Sequence, residues 1–328
     1  MSAPRCAGLV VALALGLAAG PALAVDAREL DRCARIDPPE QRLACYDALV
    51  PRPKPDEKPA PGAAERSPID QRWGVGVTGT LFDILPHKPT YMLVVAHSNA
   101  LNVSPMTPTH PAPAPADLKA NQAVFQLSAK FKVVDLQRSI GASLWAGYTQ
   151  KSEWQVYNPT VSRPFRETDY EPELMLAFHP DRHFLGLRWR LLNLGLVHQS
   201  NGQSDPLSRS WNRAYVQFGL EHDRLELLLR PWWRIPESRS NDDNPDIIDY
   251  MGHGDVVASY RVKRQTFSLL GRYNPRTHKG ALRASWSFPA WRRMRGYVQL
   301  FSGYGESLVD YNWRQTTFGF GIALTDWQ

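Results

Sequence analysis

Residues 194–215 read LGLVHQSNGQSDPLSRSWNRAY, which predicts two β-strands joined by a polar segment. Alternate side chains of a strand point to the same face. The two same-face series are Leu194, Leu196, His198 and Ser200 before the polar segment, and Asn212, Ala214, Val216, Phe218 and Leu220 after it. Three polar residues therefore share an apolar face. In a soluble sheet that face is the core, whereas in a membrane β-barrel it faces lipid, so the rest of the chain decides between the two.

The same stretch carries the side chains that acyl transfer requires. His198 and Ser200 place an imidazole beside a hydroxyl, which is the arrangement of a base-activated nucleophile. A hairpin would bring Asn212 alongside His198, where its amide can hold the imidazole in one tautomer. A single histidine or serine on a strand is usually structural, but unpaired polar groups on a lipid-facing surface are costly. We therefore interpret these residues as a candidate catalytic triad acting on lipid esters.

Segments of alternating polarity, each roughly ten residues long, continue along the chain from about Trp73. Twelve such segments cover 89–98, 122–134, 141–156, 170–179, 184–199, 211–221, 225–234, 247–262, 266–274, 280–288, 295–303 and 312–326. Short turns and longer loops alternate between them, although the link at 275–279 is shorter than this pattern requires. The pattern predicts an all-β fold, a twelve-stranded antiparallel transmembrane β-barrel with short periplasmic turns and longer extracellular loops.

The composition agrees with a barrel without deciding for it. The 328-residue chain is 43% hydrophobic and contains 11 Trp, 12 Tyr and 12 Phe. Aromatic residues without long apolar runs fit a barrel with aromatic girdles, but a soluble β-sandwich fits equally well. Beyond the N-terminus no run of 18 apolar residues occurs, which excludes helical membrane spans. The net charge of +6 is modest, and the absence of a basic cluster interleaved with aromatic residues argues against a nucleic-acid partner.

The N-terminal part of the chain has a different character. Residues 1–24 combine Arg5, an apolar stretch and the sequence Ala22-Leu23-Ala24, which predicts a secretory signal peptide. Residues 51–72 are rich in proline and charge, which predicts an extended linker. The barrel lipase domain is then expected over residues 73–328.

Residues 25–50 lie between the predicted signal peptide and the linker. Their pattern indicates two short helices on either side of Pro38-Pro39, one with Cys33 and the other with Cys45. These are the only cysteines outside the predicted signal peptide. In an oxidising compartment an even number of cysteines favours a disulfide, and two free thiols are the alternative. We expect this small helical region to be periplasmic.

Several stretches resemble one known family. The segment from His198 to Arg213 has the form H-x-S-N-G-x-S-D-P-x-S-R-S-W-N-R and is similar to the active-site segment of the outer-membrane phospholipase A family of Gram-negative bacteria. Further matching stretches are GYTQKS at 147–152, PFRET at 164–168, YEP at 170–172, DDNPD at 242–246 and GYGESL at 303–308. The resemblance covers most of 73–328 but does not obviously extend to 25–72.

The resemblance implies a calcium-dependent phospholipase A1/A2 in the cell outer membrane, active as a homodimer. Such an enzyme hydrolyses the sn-1 and sn-2 acyl esters of phospholipids, and lysophospholipids as well, with its active site facing the outer leaflet. Ser200 is then the nucleophile, His198 the general base and afterwards the acid, and Asn212 the residue that orients the imidazole. The Ser200 backbone N–H and a calcium-bound water are expected to stabilise the oxyanion.

The resemblance also implies a calcium site with one Ca²⁺ per monomer. The ligands are the Ser208 hydroxyl and the backbone carbonyls of Gln203 and of Ser162, the last supplied by the partner subunit. Asp205 and Asp243 correspond to acidic residues implicated in calcium binding by the monomer. This chain departs from the family at Gln203, where arginine is usual.

Two further expectations complete the sequence-based account. By the same resemblance, Gln150 corresponds to a polar residue buried in the dimer contact. The alternative to an enzyme is a non-catalytic or pore-forming barrel that retains the motif as scaffold. A wide pore is not expected for twelve strands, because side chains and loops can fill so narrow an interior.

Overall fold

The computed structural model describes residues 27–49, 67–74, 81–161, 164–238, 240–291 and 294–325. The chain divides into two compact units, Met1–Ala64 and Glu65–Gln328. The signal peptide predicted for 1–24 lies outside the described residues, as does most of the linker predicted for 51–72. None of the helices in the described ranges is long and apolar enough to cross a membrane.

The first unit contains two helices, α1 (Ala27–Ala34) and α2 (Pro39–Leu49). Helix α2 begins at a proline, whose fixed φ suits the first helical position. A disulfide bond joins Cys33 of α1 to Cys45 of α2. Because this unit has little apolar surface to bury, the covalent link is the main tertiary connection between its two helices.

The second unit is a β-barrel of twelve long strands. They are β1 (Thr90–Ser98), β2 (Asn121–Leu136), β3 (Ala142–Trp154), β4 (Phe165–Phe178), β5 (Leu187–Ser200), β6 (Ser210–His222), β7 (Leu225–Ile235), β8 (Gly254–Val262), β9 (Gln265–Asn274), β10 (Lys279–Trp291), β11 (Met294–Tyr304) and β12 (Arg314–Thr325). Each strand pairs antiparallel with its neighbour in the chain, and β12 also pairs with β1, which closes the sheet. The predicted twelve-stranded barrel is confirmed, and the β-sandwich is excluded.

The two faces of the barrel have opposite character. The outward face is apolar, as at Leu196 and Phe318, whose side chains are 55% and 51% exposed. The inward face buries charged side chains such as Arg213, and several of them form ion pairs. Arg230, for example, donates to the Asp255 carboxylate at 2.6 Å. A surface that is apolar outside and polar inside matches a barrel that has lipid around it.

The connections define two rims. The long-loop rim carries the connections 99–120, 155–164, 201–209, 236–253, 275–278 and 305–313, and the short-turn rim carries the others. Helix α4 (Gln137–Ile140) forms one of the short turns, and two three-residue strands, Ile84–Pro86 and Arg182–Phe184, pair with β2 and β5.

The last long loop folds back into the barrel and fills its end. Leu308 and Tyr311 are completely or almost completely buried. Arg166 at the start of β4 donates to the Asp310 carboxylate at 2.6 Å and to Glu153 at 2.9 Å. Because side chains and this loop occupy the interior, the structure argues against a wide pore.

The strand predicted for 247–262 begins later than expected. Residues Ile247–Met251 form helix α5, and β8 starts at Gly254. Ile247 and Met251 are both buried and lie four residues apart, a spacing that places them on one helix face. A strand would also place residues 247, 249 and 251 on one face. Ile247 and Met251 therefore share a face in either structure, and the sequence pattern did not distinguish a helix from a strand.

The linker predicted to reach Arg72 ends earlier in the structure. Residues Pro68–Arg72 form helix α3, and the Ser67 hydroxyl accepts the Asp70 N–H at its start. The helix is packed among barrel side chains: Ile69 is fully buried, and Arg72 contacts the Glu226 carboxylate at 2.7 Å. Asp70 pairs with Arg190. Its proline, serine and charges suggested a solvated linker, but the charges are paired inside the barrel.

Candidate active site

The candidate triad lies where β5 and β6 meet the long-loop rim. In the register of this pair His198 is directly opposite Asn212, and Ser200 is opposite Ser210. The loop 201–209 connects the two strands, and it is closed by a backbone hydrogen bond from Asn201 N to Arg209 O of 3.0 Å. The hairpin expected from the sequence is therefore present.

The histidine and the asparagine form a hydrogen-bonded pair on the outer surface. His198 Nδ1 and Asn212 Oδ1 are 2.9 Å apart, and the imidazole is exposed. With the amide oxygen as acceptor, Nδ1 carries the proton and Nε2 has the free lone pair. This is the tautomer that a general base requires.

A fourth side chain, Glu237, fixes the orientation of this asparagine. Asn212 Nδ2 donates to Glu237 Oε1 at 2.6 Å. A carboxylate can only accept, so the NH₂ end of the amide must face Glu237 and the oxygen must face His198. Glu237 lies in a polar loop without periodicity, just after β7, and no sequence pattern predicted its contact with Asn212.

Ser200 lies beside this pair without touching it. It occupies the same outward face as His198, two residues further along β5, and it pairs with Tyr170 of β4. Within the described ranges its hydroxyl makes no hydrogen bond to His198. Nucleophile–base hydrogen bonds are often long before substrate binds, and a rotation of the Ser200 side chain would be needed to bring its hydroxyl to His198.

Inward-facing side chains next to the candidate triad connect β5 to β6. Gln199 Oε1 accepts hydrogen bonds from Trp211 Nε1 and from the Arg213 guanidinium, both at 3.0 Å. Arg213 also stacks over the Trp211 ring at 4.0 Å from its centroid. These contacts lock the register that puts His198 opposite Asn212.

The loop 201–209 is organised around Asn201. Asn201 Oδ1 accepts the Arg209 N–H at 2.9 Å, and its Nδ2 donates to Leu207 O at 2.8 Å and also to Glu167. Gly202 follows with a φ of +63°, a left-handed conformation that glycine adopts without strain. The asparagine therefore fixes both ends of the turn.

Arg209 supports the same loop from inside. Its side chain is fully buried, and its guanidinium donates to the carbonyls of Pro206 at 3.0 Å and Ser208 at 2.7 Å. Burial lowers the pKa of the Arg209 guanidinium. The Ser208 hydroxyl faces the neighbouring loop 236–253.

The predicted calcium ligands are only partly brought together. The Ser208 hydroxyl donates to Asp243 Oδ2 at 2.6 Å. Asp205 and Asp243 both lie beside the imidazole of His110, which the sequence analysis did not predict. The hydroxyl and the two carboxylates are oxygen donors that suit a hard cation.

The other two predicted calcium ligands are less well defined. The Gln203 side chain turns inward, where its Nε2 donates to Glu167 Oε2 at 2.5 Å, which leaves the backbone carbonyl as the predicted ligand atom. Ser162 lies outside the described residues. The donors around Ser208 fit calcium, and a complete coordination shell is not assembled by the described residues of one chain.

Gln150, predicted to lie in a dimer contact, is on the outward face of β3. It accepts a hydrogen bond from the Tyr148 hydroxyl and donates to the Ser152 hydroxyl, both at 3.3 Å. Ser152 in turn lies 3.0 Å from the Thr168 hydroxyl of β4. Unsatisfied polar groups on a lipid-facing surface are costly, so hydrogen-bond partners from another molecule would stabilise this cluster.

A second histidine–asparagine pair shows which residue is distinctive. His97 Nδ1 and Asn121 Oδ1 are 2.8 Å apart across β1 and β2, on the same rim. The residue two positions after His97 is Asn99. A His–Asn pair therefore also forms on this rim without a serine two residues further along the strand, whereas Ser200 occupies that position after His198.

The closed barrel, its apolar exterior and its polar interior define the chain as an outer-membrane β-barrel protein. A family model described as phospholipase A1 matches residues 75–324. The chain belongs to this phospholipase A1 family. It is 38% identical over 245 residues to phospholipase A1 of Salmonella typhimurium, covering 75% of this chain and 82% of that protein. A Neisseria meningitidis serogroup B protein is 42% identical over 255 residues, which is 75% of this chain and 66% of its own length.

Solved structures give the same result. Outer membrane phospholipase A from Escherichia coli superposes with a TM-score of 0.68 at 35% identity, covering 75% of this chain and 95% of that one. A Salmonella typhi outer membrane phospholipase dimer with bound calcium gives a TM-score of 0.68 at 36% identity, over 75% and 94% of the two chains. An Escherichia coli form in which an active-site asparagine is replaced by alanine gives 0.72 at 35% identity, over 81% and 100%.

Proposed function

We propose that this chain hydrolyses the sn-1 and sn-2 acyl esters of phospholipids and lysophospholipids with Ser200, His198 and Asn212. The observation that carries the proposal is the outward direction of the His198–Asn212 pair on the apolar face of the barrel. A base held in the correct tautomer there meets lipid rather than water. The family that the chain belongs to is named for the same chemistry.

Acyl transfer proceeds in two steps. Ser200 Oγ attacks the ester carbonyl while its proton passes to His198 Nε2, and Nδ1–H remains bonded to Asn212 Oδ1. The tetrahedral intermediate then expels the lipid alcohol, which takes the proton from Nε2 and leaves an acyl group on Ser200. In the second step His198 removes a proton from water, the hydroxide attacks the acyl-serine, and the fatty acid leaves as Ser200 recovers its proton.

Charge develops on the carbonyl oxygen during each attack. The Ser200 backbone N–H is one donor toward this oxygen. The Ser208 hydroxyl, the Gln203 carbonyl and the carboxylates of Asp205 and Asp243 would hold one Ca²⁺, which when bound supplies positive charge near the oxyanion. The solved Salmonella typhi relative is a dimer with bound calcium, and the oxygen donors around Ser208 support the same ion here.

The surface around Ser200 suits acyl chains. Tyr170 and Leu174 of β4 lie opposite Ser200 and Leu196 of β5 in the register, and Leu174 and Leu196 are about half exposed. On the other side Ile235 pairs with Asn212. A chain that runs along these apolar side chains brings its ester to the hydroxyl without leaving the membrane phase.

We further propose that the active form is a homodimer formed through the face that carries Gln150. That face adjoins the active site, because Gln150 pairs with Tyr170, which in turn pairs with Ser200. A second copy would give the Gln150–Ser152 cluster partners, and Ser162 of the partner subunit would supply the missing carbonyl to calcium. In this assembly the long-loop rim faces the outside, as is usual for such barrels.

The deciding experiment measures fatty acid released from mixed phospholipid–detergent micelles, with calcium or with a chelator. Ser200→Ala is expected to lose at least about 10³-fold in rate, and the parent is expected to lose activity when chelated. Ser210→Ala is the matched control, since this serine is directly opposite Ser200 on the same rim. Phospholipids with distinguishable acyl chains report sn-1 and sn-2 cleavage separately.

Two results would contradict the proposal in different ways. Activity retained by Ser200→Ala would remove the nucleophile. A folded parent that releases no fatty acid under any calcium concentration would favour the non-catalytic barrel.

A further inference from the structure

Three loops of the long-loop rim converge on a group of metal-ligand side chains. His110 comes from the loop 99–120, Asp205 from 201–209 and Asp243 from 236–253. One ligand atom from each residue lies within 4.8 Å of the other two. The imidazole is not part of the calcium donors discussed above, and it changes the chemistry of the cluster.

The distances suit a single small ion. His110 Nε2 is 3.1 Å from Asp205 Oδ1 and 3.9 Å from Asp243 Oδ1. Ligands bound at about 2.0–2.2 Å in tetrahedral geometry are about 3.4 Å apart. The observed spacings bracket this value, so modest side-chain rotations would bring all three atoms onto one ion.

The imidazole is held with the correct nitrogen pointing inward. His110 Nδ1 is 3.2 Å from the Asp243 backbone carbonyl, which can only accept, and the hydroxyls of Thr109 and Thr107 lie at 3.3 and 3.4 Å. With the carbonyl as its partner, Nδ1 carries the proton. The lone pair of Nε2 therefore points to the two carboxylates. A second ring nitrogen bound to a carbonyl is the usual support of a metal-ligating histidine.

Hydrogen bonds from neighbouring residues hold His110 and Asp243 in place. Thr107 Oγ1 accepts the His110 backbone N–H at 3.0 Å, and the Thr109 hydroxyl donates to Asp243 O at 3.1 Å. The Ser208 hydroxyl donates to the second oxygen of Asp243 at 2.6 Å. The His110 side chain is 13% exposed while that of Asp205 is 77% exposed, so the ligands are fixed on one side and open to ions on the other.

We propose that His110, Asp205 and Asp243 bind a first-row transition-metal ion, for which Zn²⁺ is the probe. Calcium takes oxygen ligands, whereas a neutral imidazole with two carboxylates suits zinc and its neighbours. The competing interpretation is a protonated His110 that forms an ion pair with Asp205, in which a proton takes the place of the metal. A zinc titration distinguishes these two interpretations, because only the metal site requires the imidazole for zinc binding.

Zinc bound to this cluster also affects lipid hydrolysis, a consequence that rests on the proposed function. Asp205 and Asp243 are also the carboxylates assigned to calcium. An ion bound by these two residues and His110 would tie the three loops together and exclude calcium from them. Zinc is therefore expected to inhibit calcium-dependent lipid hydrolysis, and to inhibit it less when His110 is replaced.

Binding is measured on the full mature chain in detergent micelles, without a polyhistidine tag and with the Ser200→Ala substitution. Zinc is titrated in competition with a chromophoric chelator. We expect one zinc ion per chain, with at least tenfold weaker affinity in His110→Gln and in Asp205→Asn. His222→Gln is the matched control, because His222 also lies beside one aspartate, with Nε2 3.7 Å from Asp223 Oδ2, but on the short-turn rim.

Equal zinc affinity in the parent and in His110→Gln would overturn the proposal, as would a parent that binds no zinc at saturable stoichiometry. Heat-dependent migration on gels verifies that each variant is a folded barrel. Since the binding protein carries Ser200→Ala, the result does not depend on lipid hydrolysis. If zinc binds but no parent activity is found, the proposed function fails and the metal site stands.

Discussion

Glu237 accepts a hydrogen bond of 2.6 Å from the Nδ2 of Asn212, the residue that orients the candidate general base. The second carboxylate oxygen of Glu237 is buried and has no hydrogen-bond partner in the part of the chain that the structure describes. The Glu237 side chain is partly buried, and its described contact is the short hydrogen bond to Asn212. The chain His198–Asn212–Glu237 thus fixes the imidazole through two successive hydrogen bonds.

Substitutions of Glu237 test whether it orients the Asn212 amide or only packs against it. We expect Glu237→Ala to lower kcat on the order of tenfold with little change in KM, because the freed amide can turn its NH₂ toward His198 and disfavour the required tautomer. Glu237→Gln keeps an acceptor oxygen and is expected to retain most of the activity. Equal losses in both variants, or a loss only in KM, would contradict the positioning role.

The two histidine–asparagine pairs allow a matched comparison. His198→Ala removes the base and is expected to lower the rate of fatty acid release about 10²–10⁴-fold. His97→Ala removes the corresponding histidine of the pair with Asn121 and is expected to leave the rate nearly unchanged. A comparable loss in both would mean that such pairs serve the stability of the rim, which denaturation of the two variants in urea would then show.

Asn201 is expected to determine the shape of the loop 201–209. Asn201→Ala leaves the Arg209 N–H and the Glu167 carboxylate without this partner, which costs about 1–3 kcal/mol in the free energy of unfolding. We expect a lower urea midpoint and a higher calcium requirement, because Ser208 and Asp205 lie on the same loop. Asn241→Ala, at an exposed position in another loop of the rim, is the control and is expected to change neither quantity.

The Gln150 cluster predicts the energetics of self-association. Gln150→Ala is expected to weaken calcium-dependent dimerisation about 3–10-fold, the effect of losing roughly one hydrogen bond in the contact. Sedimentation in density-matched detergent measures the monomer–dimer equilibrium. Gln265→Ala, at the start of β9 on the other side of the barrel, is the control. A dimer of unchanged affinity in Gln150→Ala would place the contact elsewhere.

The barrel could be predicted from the sequence because lipid imposes a strict rule on every strand. Outward residues such as Leu196 and Phe318 must be apolar, and the closed sheet repeats this alternation with turns between. The incorrect predictions for α3 and α5 concern residues outside the lipid-facing strands. Helix α3 lies inside the barrel, where charged side chains such as Arg72 form ion pairs. Helix α5 lies in a loop, and the spacing of Ile247 and Met251 fits a helix as well as a strand.

The site was only partly predictable for a related reason. His198, Ser200 and Asn212 are connected by one hairpin, so strand geometry brings them together. Glu237 and His110 reach their partners from other loops, and no periodicity relates loop residues across the rim. The register of a hairpin can be inferred locally, whereas the folding of long loops against each other depends on contacts such as those of Asn201 and Arg209.

Ser200 is proposed to carry the acyl group during turnover. The most direct test is acid quenching of the protein during hydrolysis of a lysophospholipid in calcium, followed by proteolysis and mass spectrometry with fragmentation. We expect the mass of one acyl group on Ser200, and none on this position in His198→Ala or without calcium. An acyl group found on another residue, or product formation with no acylated serine, would contradict it.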